Sequence, residues 1–192
     1  APNRFSLAWN YNLPDVNNDR GVLGRVGSGW VISGTSVIQS GNPINVFTNA
    51  PFEPVTNNGQ YVGYTATSGD YNADGDNFDF PDVANYSQGT SRRSYLNGIF
   101  SSGQFAQPAF GQEGNERYNR FVGPNFNEWD TALLKNTKIA ESVNFQFRLE
   151  VFNTFNRPNL INVNTNLSNG NFGKATGQNT PRFIQLGGNL TF

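Results

Sequence analysis

The amino-acid sequence predicts an all-β fold, an antiparallel up-and-down sheet of about five long strands of the partial-barrel type, with long Gly/Asn-rich loops on one rim. Three observations support this prediction. Five segments alternate apolar and polar residues, which is the period of a strand with one apolar and one polar face. The 192 residues include 17 Phe and 21 Gly but only 14% charged residues, and globular chains have about a quarter. The spacing of the five segments leaves two long irregular regions.

Strands are predicted near 4–13, 28–40, 127–138, 142–153 and 182–192. In chain order, the apolar parity of these segments comprises Phe5, Leu7, Trp9, Tyr11 and Leu13; Trp30, Ile32 and Ile38; Trp129, Thr131 and Leu133; Val143, Phe145, Phe147, Leu149 and Val151; and Ile184, Leu186, Leu190 and Phe192. The opposite parity is mostly polar, although Val31 and Val37 make the second segment less regular and Phe152 is an apolar exception in the fourth. Each segment therefore predicts a strand with two different faces.

The connections between these strands differ greatly in length. Residues 138–142 form a tight link, 14–29 form a longer one, and the regions 41–125 and 154–181 are dense in Gly, Asn, Pro and Ser. One short turn of helix is expected within 89–100. Long loops on one rim and tight turns on the other are typical of outer-membrane barrels. We therefore expect a single β-barrel-like domain over 1–192.

The same alternation fits a soluble β-sandwich, in which the apolar face meets a protein core. Two details favour the barrel. Aromatic residues lie near predicted strand ends, as interfacial girdles require: Trp9, Tyr11, Trp30, Trp129, Phe152 and Phe192. The sequence also stops on Phe192, the last residue of an alternating segment.

Composition argues against an enzyme and against nucleic acid binding. The chain has no Cys and no His, which removes thiolate chemistry and the usual general base and zinc ligand. A net charge of -1 provides no basic surface for nucleic acid. The start at Ala1, without an initiator Met, is what we expect of a mature or cleaved piece.

The stretch "GDYNADGDNFDFPD" (69–82) has the spacing of a calcium loop. Oxygen ligands at every second residue can surround a hard cation, and Gly75 allows the sharp turn. Pro81 stands where the late bidentate acid is usual, so that Asp79 or Asp82 has to substitute. The predicted ligands of this structural calcium ion are Asp70, Asn72, Asp74, Asp76 and Asp79. The alternative is a solvated acidic turn without a metal.

Three stretches, "GWVISGTSVIQSGNPINV" (29–46), "GPNFNEWDTALLKNTKIAESVNFQFRLEVFNTFNRPNL" (123–160) and "PRFIQLGGNLTF" (181–192), carry a family resemblance. They resemble the C-terminal end of TonB-dependent outer-membrane receptors of the Oar-like type, which has a carboxypeptidase-regulatory-like domain. The resemblance covers the chain from about Arg4 to Phe192 and is most specific from Trp129 to Asn159. It implies a β-barrel segment in which Phe192 is the barrel-terminal assembly signal.

Five strands are too few to close a transmembrane barrel, so an open sheet must find partners for its edges. We expect a non-enzymatic structural module that pairs strands with copies of itself, giving an extracellular or cell-surface oligomer or filament. The first alternative is a wall segment of an intact outer-membrane TonB-dependent transporter for ligand uptake, in which the remaining strands of the barrel are the partners. Both place the chain at the bacterial outer membrane or cell surface.

A soluble carbohydrate-binding β-sandwich is the second alternative. Aromatic side chains stack on sugars, and the long loops contain several of them: Tyr61, Tyr64, Phe105, Phe110, Tyr118 and Phe121. The charged residues Arg148, Glu150 and Asp130 are expected to form cross-strand pairs that fix the strand register, and not a catalytic carboxylate pair.

Overall fold

The computed structural model describes residues 3–15, 21–49, 53–65, 70–72, 74–76, 78–101, 103–109 and 111–192. The secondary-structure elements of these residues are, in chain order, β1 (Arg4–Asn12), α1 (Gly21–Gly27), β2 (Trp30–Gln39), β3 (Pro43–Ile44), β4 (Glu53–Asn57), β5 (Gln60–Thr65), β6 (Asp82–Val83), α2 (Arg92–Asn97), β7 (Phe105–Ala106), β8 (Phe121–Val122), β9 (Phe126–Lys138), β10 (Asn144–Phe152), β11 (Leu160–Val163), β12 (Ala175–Gln178) and β13 (Phe183–Thr191). The all-β prediction is confirmed.

The five long strands form one antiparallel sheet in the order β1-β2-β9-β10-β13. Strands that follow one another within the sheet are neighbours, which is the predicted up-and-down arrangement. Each predicted strand agrees with the observed one within two residues at either end. The sheet is not closed, because β1 and β13 lie at opposite edges. It is therefore an arc of the partial-barrel type.

The sheet has two different rims, which we name by their connections. At the long-segment rim β2 ends at Gln39 and β10 ends at Phe152, and the chain re-enters the sheet only at β9 and β13. At the short-connection rim, residues 139–143 join β9 to β10 and residues 13–29 join β1 to β2. The predicted difference between the rims is thus confirmed for this sheet.

Close contact between strands is possible at Gly34 because it lacks a side chain. Gly34 is opposite Trp9 in the register, and a Cβ atom at this position would lie 2.7 Å from the Trp9 ring and 2.8 Å from the Asp130 carbonyl oxygen. The indole of Trp9 therefore occupies the space that a side chain at position 34 would need, which suits an aromatic and glycine pair across two strands.

Two short helices lie in the connections. The helix expected within 89–100 is α2, whose first turn is capped by the Ser91 hydroxyl, which accepts a hydrogen bond from the Ser94 N–H. Helix α1 was not predicted, because its sequence, "GVLGRVG", contains two Val and three Gly, and both residue types have low helix propensities. A tertiary contact fixes α1 instead: the Lys135 ammonium donates to the carbonyl oxygens of Arg25, at 2.8 Å, and Ser28.

The chain divides into two compact units. The sheet unit comprises Pro2–Ser40, Asn125–Asn159 and Asn179–Phe192, and the loop unit comprises Gly41–Pro124 and Leu160–Gln178 together with Ala1. The loop unit coincides with most of the two regions predicted as irregular loops. The single domain predicted for 1–192 stays a prediction.

The loop unit has an aromatic core of its own, which the sequence analysis did not foresee. Val46, Val83 and Phe121 are buried, and Phe100, Phe105 and Phe172 pack against them. The Phe100 ring contacts the rings of Phe105 and Phe121 edge-on with centroids 4.9 Å apart in each pair, and it stacks on Phe172 at 5.1 Å. Such contacts each stabilise by about 0.5–1.5 kcal/mol beyond burial. The described residues of these long regions therefore include a packed core.

Candidate functional site

The most distinctive surface of the sheet unit is one face of its sheet, which is mostly apolar on β1, β2, β10 and β13. On β9 it is mixed, because Asn127, Thr131, Lys135 and Thr137 share it with Trp129 and Leu133. Directly opposed residues of an antiparallel pair lie on the same face, so the strand register defines this apolar face. Its residues are Phe5, Leu7, Trp9 and Tyr11 of β1, Trp30, Ile32, Gly34, Ser36 and Ile38 of β2, Asn127, Trp129, Thr131, Leu133, Lys135 and Thr137 of β9, Phe145, Phe147, Leu149 and Val151 of β10, and Ile184, Leu186, Gly188 and Leu190 of β13.

Large side chains of the apolar face are exposed, most of all on the edge strands. The exposed fractions are Phe5 56%, Leu7 44%, Tyr11 59%, Ile38 41%, Phe145 37%, Ile184 56%, Leu186 67% and Leu190 52%. A continuous apolar surface of this kind is rare on soluble monomeric proteins and marks contact with a membrane or another protein. The predicted apolar parity of the strands thus forms one shared and largely uncovered surface.

The opposite, polar face carries the hydrogen-bonding side chains. The Arg148 guanidinium and the Glu150 carboxylate form an ion pair at 2.8 Å, and the Gln146 amide donates to the Asn136 side chain at 2.8 Å. Arg148 lies opposite Leu134 and Gly187, so the cross-strand charge pair expected for it is wrong. The partner is two residues away on β10, because its strand neighbours carry no charge.

Both edges of the sheet run in the same direction. β1 and β13 each start at the long-segment rim and end at the short-connection rim, as follows from an antiparallel sheet with an odd number of strands. Within the described sheet, each of these nine-residue strands is hydrogen-bonded to one neighbour. Each edge consequently offers backbone N–H and C=O groups to a further strand.

Most of the aromatic residues expected at strand ends are found there. Trp30 begins β2, Phe152 ends β10, and Tyr11 is next to the last residue of β1. Trp9 and Trp129 are exceptions, because Trp9 lies inside β1 over Gly34 and Trp129 is the fourth residue of β9. Phe192 directly follows β13 and is 92% exposed. Its role as an assembly signal stays a prediction.

The five predicted calcium ligands lie in one turn of the loop unit. Carboxylate and amide oxygens there accept backbone N–H groups of the same turn: Asp70 from Asp74 and Gly75, at 3.0 and 3.2 Å, and Asn72 from Asp74 at 2.9 Å. Asp79 is buried and accepts from the N–H groups of Tyr71 and Asn72. Burial raises the pKa of Asp79, partly offset by these hydrogen bonds.

Among the described residues, no group of three or more His, Cys, Asp or Glu side chains is arranged to bind a metal ion. Asn72 also bridges two carboxylates, donating to Asp74 at 3.1 Å and to Glu113 at 2.7 Å. Calcium binding by Asp70, Asn72, Asp74, Asp76 and Asp79 stays a prediction.

Two of the loop aromatics expected to stack on sugars are core residues of the loop unit. Phe121 is fully buried and Phe105 packs against it, so both belong to the core. Tyr118 is 70% exposed, and its ring meets the edge of Phe80 at 4.6 Å. Phe110 and the side chains of Tyr61 and Tyr64 lie outside the described residues. The prediction that Phe105 and Phe121 stack on sugars is therefore wrong.

A buried carboxyl in the loop unit was missed in the sequence. Glu116 is 7% exposed, and its Oε1 accepts the Val46 N–H at 2.9 Å. Its Oε2 is buried without a hydrogen-bond partner among the described residues. Burial raises the pKa of Glu116 to about 7, against the lowering effect of the Val46 hydrogen bond. In the sequence, a single Glu between Asn115 and Arg117 gives no sign of burial.

The described residues outside the strands include two short helices, α1 and α2. Within the described residues, neither α1 nor α2 has the length and hydrophobicity needed to span a lipid bilayer.

Comparison with known proteins gives one match. The model of the family described as "Outer membrane beta barrel domain" matches residues 1–185, which is nearly the whole chain. Comparison with curated proteins gives no match, nor does comparison with solved structures. The matched range includes four complete strands of the sheet and the start of β13.

The calcium prediction is tested by limited proteolysis. If a calcium ion holds residues 69–82, chelation with EGTA increases cleavage there severalfold, and added Ca²⁺ restores protection whereas Mg²⁺ does not. The double variant Asp70→Asn/Asp74→Asn loses this response, and the control Glu141→Gln, an exposed acid of the sheet unit, keeps it. Equal cleavage of the wild-type protein with and without EGTA contradicts calcium binding.

The raised pKa of Glu116 predicts that the stability of the loop unit depends on pH. Its pKa is raised above that of the unfolded chain, so the folded unit is most stable when Glu116 is protonated, and it loses stability as pH rises from about 4.5 to about 7. The loss is on the order of 3 kcal/mol. In Glu116→Gln, which keeps an acceptor for the Val46 N–H, we expect hydrogen exchange of the Val46 amide to become nearly independent of pH after correction for intrinsic rates. The same pH dependence in the variant contradicts this origin.

Proposed function

The chain belongs to the family of outer membrane β-barrel domains, and from that premise we propose that it forms part of the wall of a TonB-dependent receptor barrel that takes up a ligand across the bacterial outer membrane. The proposed role is non-enzymatic. The observation that carries it is the sheet itself, which combines one shared apolar face with two edges open to further strands. The TonB-dependent type rests on the resemblance of 29–46, 123–160 and 181–192.

The apolar face supplies what a barrel wall needs. A strand of nine to eleven residues crosses the hydrocarbon core of a membrane when tilted, and the long strands of this sheet have 9, 10, 13, 9 and 9 residues. Outer-membrane barrels alternate apolar residues towards lipid with polar residues towards the lumen. In this orientation Phe5, Leu186 and Leu190 face lipid, and Arg148 and Glu150 face the lumen.

The rims give the sheet a direction in the membrane. Outer-membrane barrels have short periplasmic turns and longer extracellular loops. The long-segment rim therefore faces the outside of the cell, and the short-connection rim, where β13 ends, faces the periplasm. The two chain segments that form the loop unit then follow β2 and β10, both of which end on the extracellular side.

The direction of the edge strands supports other strands, and not copies of the chain, as neighbours in a barrel wall. An antiparallel neighbour of β1 or β13 runs from the short-connection rim to the long-segment rim. A second copy pairing in this way would be inverted, with its long segments at the periplasmic side, and a copy in the same orientation would have to pair in parallel. Since barrels of this class are antiparallel, a common orientation favours strands of another sequence.

The neighbouring strands also have a defined parity. In an antiparallel barrel, the first and the last of these additional strands both run towards the long-segment rim, so the number of additional strands is odd. Together with the five strands of this sheet they give an even total, as in bacterial barrels. Self-assembly into a filament, the first expectation from the sequence, has less support than the barrel wall, because the family match is to an outer membrane β-barrel domain.

The orientation of the two faces is tested by neighbouring substitutions in β13. Leu186→Arg places a charge in lipid, where it costs about 2–4 kcal/mol near the membrane centre, and Gln185→Arg places the same charge in the lumen. We expect the first variant to lower severalfold the amount of heat-modifiable protein in the outer-membrane fraction, and the second to leave it near wild type. Equal losses for both variants would refute a lipid-facing apolar face.

Disulfide formation tests which strands lie beside β1 and β13. The chain has no Cys of its own, so only the introduced cysteines of this chain can form a disulfide. A variant with Asn10→Cys in β1 and Gly187→Cys in β13 has one thiol on each edge. We expect oxidation in the membrane to give no disulfide between copies of this variant. The control Asn10→Cys/Ser33→Cys, whose positions are opposite each other, should oxidise within the chain. A ladder of linked copies from the edge variant would favour self-assembly.

A further inference from the structure

A small cavity lies at the border of the apolar face, next to the long-segment rim. It has a volume of about 170 Å³ and is lined by Asn127, Trp129, Asn153, Phe155 and Arg157. Asn127 and Trp129 belong to the apolar face of β9, and the other three residues belong to the turn that follows β10. If the sheet is a barrel wall, this cavity lies at the level of the outer-leaflet headgroups.

The turn that carries this cavity is held rigidly by hydrogen bonds. Asn153, which is almost fully buried, accepts the Arg157 N–H at 2.9 Å and donates to the Arg157 carbonyl oxygen at 2.9 Å. The Asn153 N–H donates to Asp130 at 2.8 Å, and the Thr154 N–H donates to the Trp129 carbonyl oxygen at 2.7 Å. Asn153 and Asn156 adopt left-handed backbone conformations, with φ of 49° each. The backbone of Arg157 is therefore fixed without any contribution from its side chain.

The side chains at the cavity combine two kinds of chemistry. The Trp129 and Phe155 rings meet edge-on at 6.0 Å, and Phe155 is 72% exposed. Aromatic rings in this position suit the boundary between hydrocarbon and headgroups. The Trp129 indole N–H donates to the Asn127 side-chain oxygen at 2.9 Å, and the Asn127 amide nitrogen has no hydrogen-bond partner among the described residues. An amide nitrogen can donate two hydrogen bonds, so Asn127 can donate to a ligand in the cavity that it lines.

Arg157 supplies a positive charge at the same place. Its side chain is exposed and forms no ion pair with a described residue, whereas Arg148 is paired with Glu150. A guanidinium binds phosphate oxygens with two hydrogen bonds, and basic sites at the membrane surface bind anionic headgroups. The cavity thus offers a cation and an amide donor to the headgroup and aromatic rings to the upper part of the acyl chains.

We propose that Arg157, Asn127, Trp129 and Phe155 form a binding site for the phosphate-bearing headgroup of an outer-leaflet lipid. Two features select a lipid over another occupant. The site continues the apolar face, which is the surface that meets lipid in a barrel wall, and its unpaired charge is complementary to a phosphate. The proposal rests on the proposed function, because it requires the apolar face to be in the membrane.

The experiment compares two Arg to Gln variants in the receptor that contains this chain, reconstituted in vesicles of phosphatidylcholine with phosphatidylglycerol. Arg157→Gln removes the charge at the cavity, and Arg4→Gln removes an equal charge from the polar parity of β1 at the same rim. Because Arg157 makes its hydrogen bonds in the turn with its backbone N–H and carbonyl oxygen, Arg157→Gln is expected to fold. Native mass spectrometry measures the phosphatidylglycerol retained by each protein.

We expect Arg157→Gln to reduce phosphatidylglycerol retention about fivefold and Arg4→Gln to stay near wild type. Arg157→Lys should give an intermediate retention, because an ammonium keeps the charge but not the paired hydrogen bonds of the guanidinium. Inorganic phosphate at millimolar concentration should not compete, because it lacks the acyl chains. If Arg157→Gln inserts normally and retains as much phosphatidylglycerol as wild type, the lipid site is overturned but the proposed function is not. Full competition by inorganic phosphate has the same consequence. Failure of the wild-type protein to insert into vesicles overturns the proposed function and the lipid site with it.

Discussion

The continuous antiparallel register of five strands is the constraint on which the rest of the structure depends. Because side chains alternate, a slip of one residue at any pair would move all the apolar residues of one strand to the polar face. Here the pairing runs without a bulge through β1, β2, β9, β10 and β13. The apolar face, the polar face and the difference between the rims all follow from this register.

The sheet was predictable from the sequence because its signal is local. Alternation over nine or more residues identifies both the strand and its faces, and 142–153 is the clearest case. The partner of Arg148 was not predictable, since it depends on which residues lie opposite, and these are Leu134 and Gly187. Helix α1 also depends on a distant residue, because Lys135 satisfies carbonyl oxygens at its C-terminal end.

The loop unit was harder to predict for a different physical reason. Its strands have two to six residues, too short to show a period, and its core is made from side chains far apart in sequence, such as Val46, Phe121 and Phe172. Much of its order comes from Asn, Asp and Glu side chains that accept backbone N–H groups, as Asn115 does from Val83 at 2.7 Å. In sequence such residues resemble those of an ordinary loop. Burial of Glu116 follows from this packing and has no local signal.

The odd number of strands limits how a segment of this kind can change over evolutionary time. A tandem duplication of all five strands would put β13 beside a second β1 that runs the same way, and the new junction would lack an antiparallel hydrogen-bonding pattern. Gain or loss of a hairpin, which adds or removes two strands, keeps every junction antiparallel. The geometry therefore favours growth by hairpins and disfavours repetition of the whole segment.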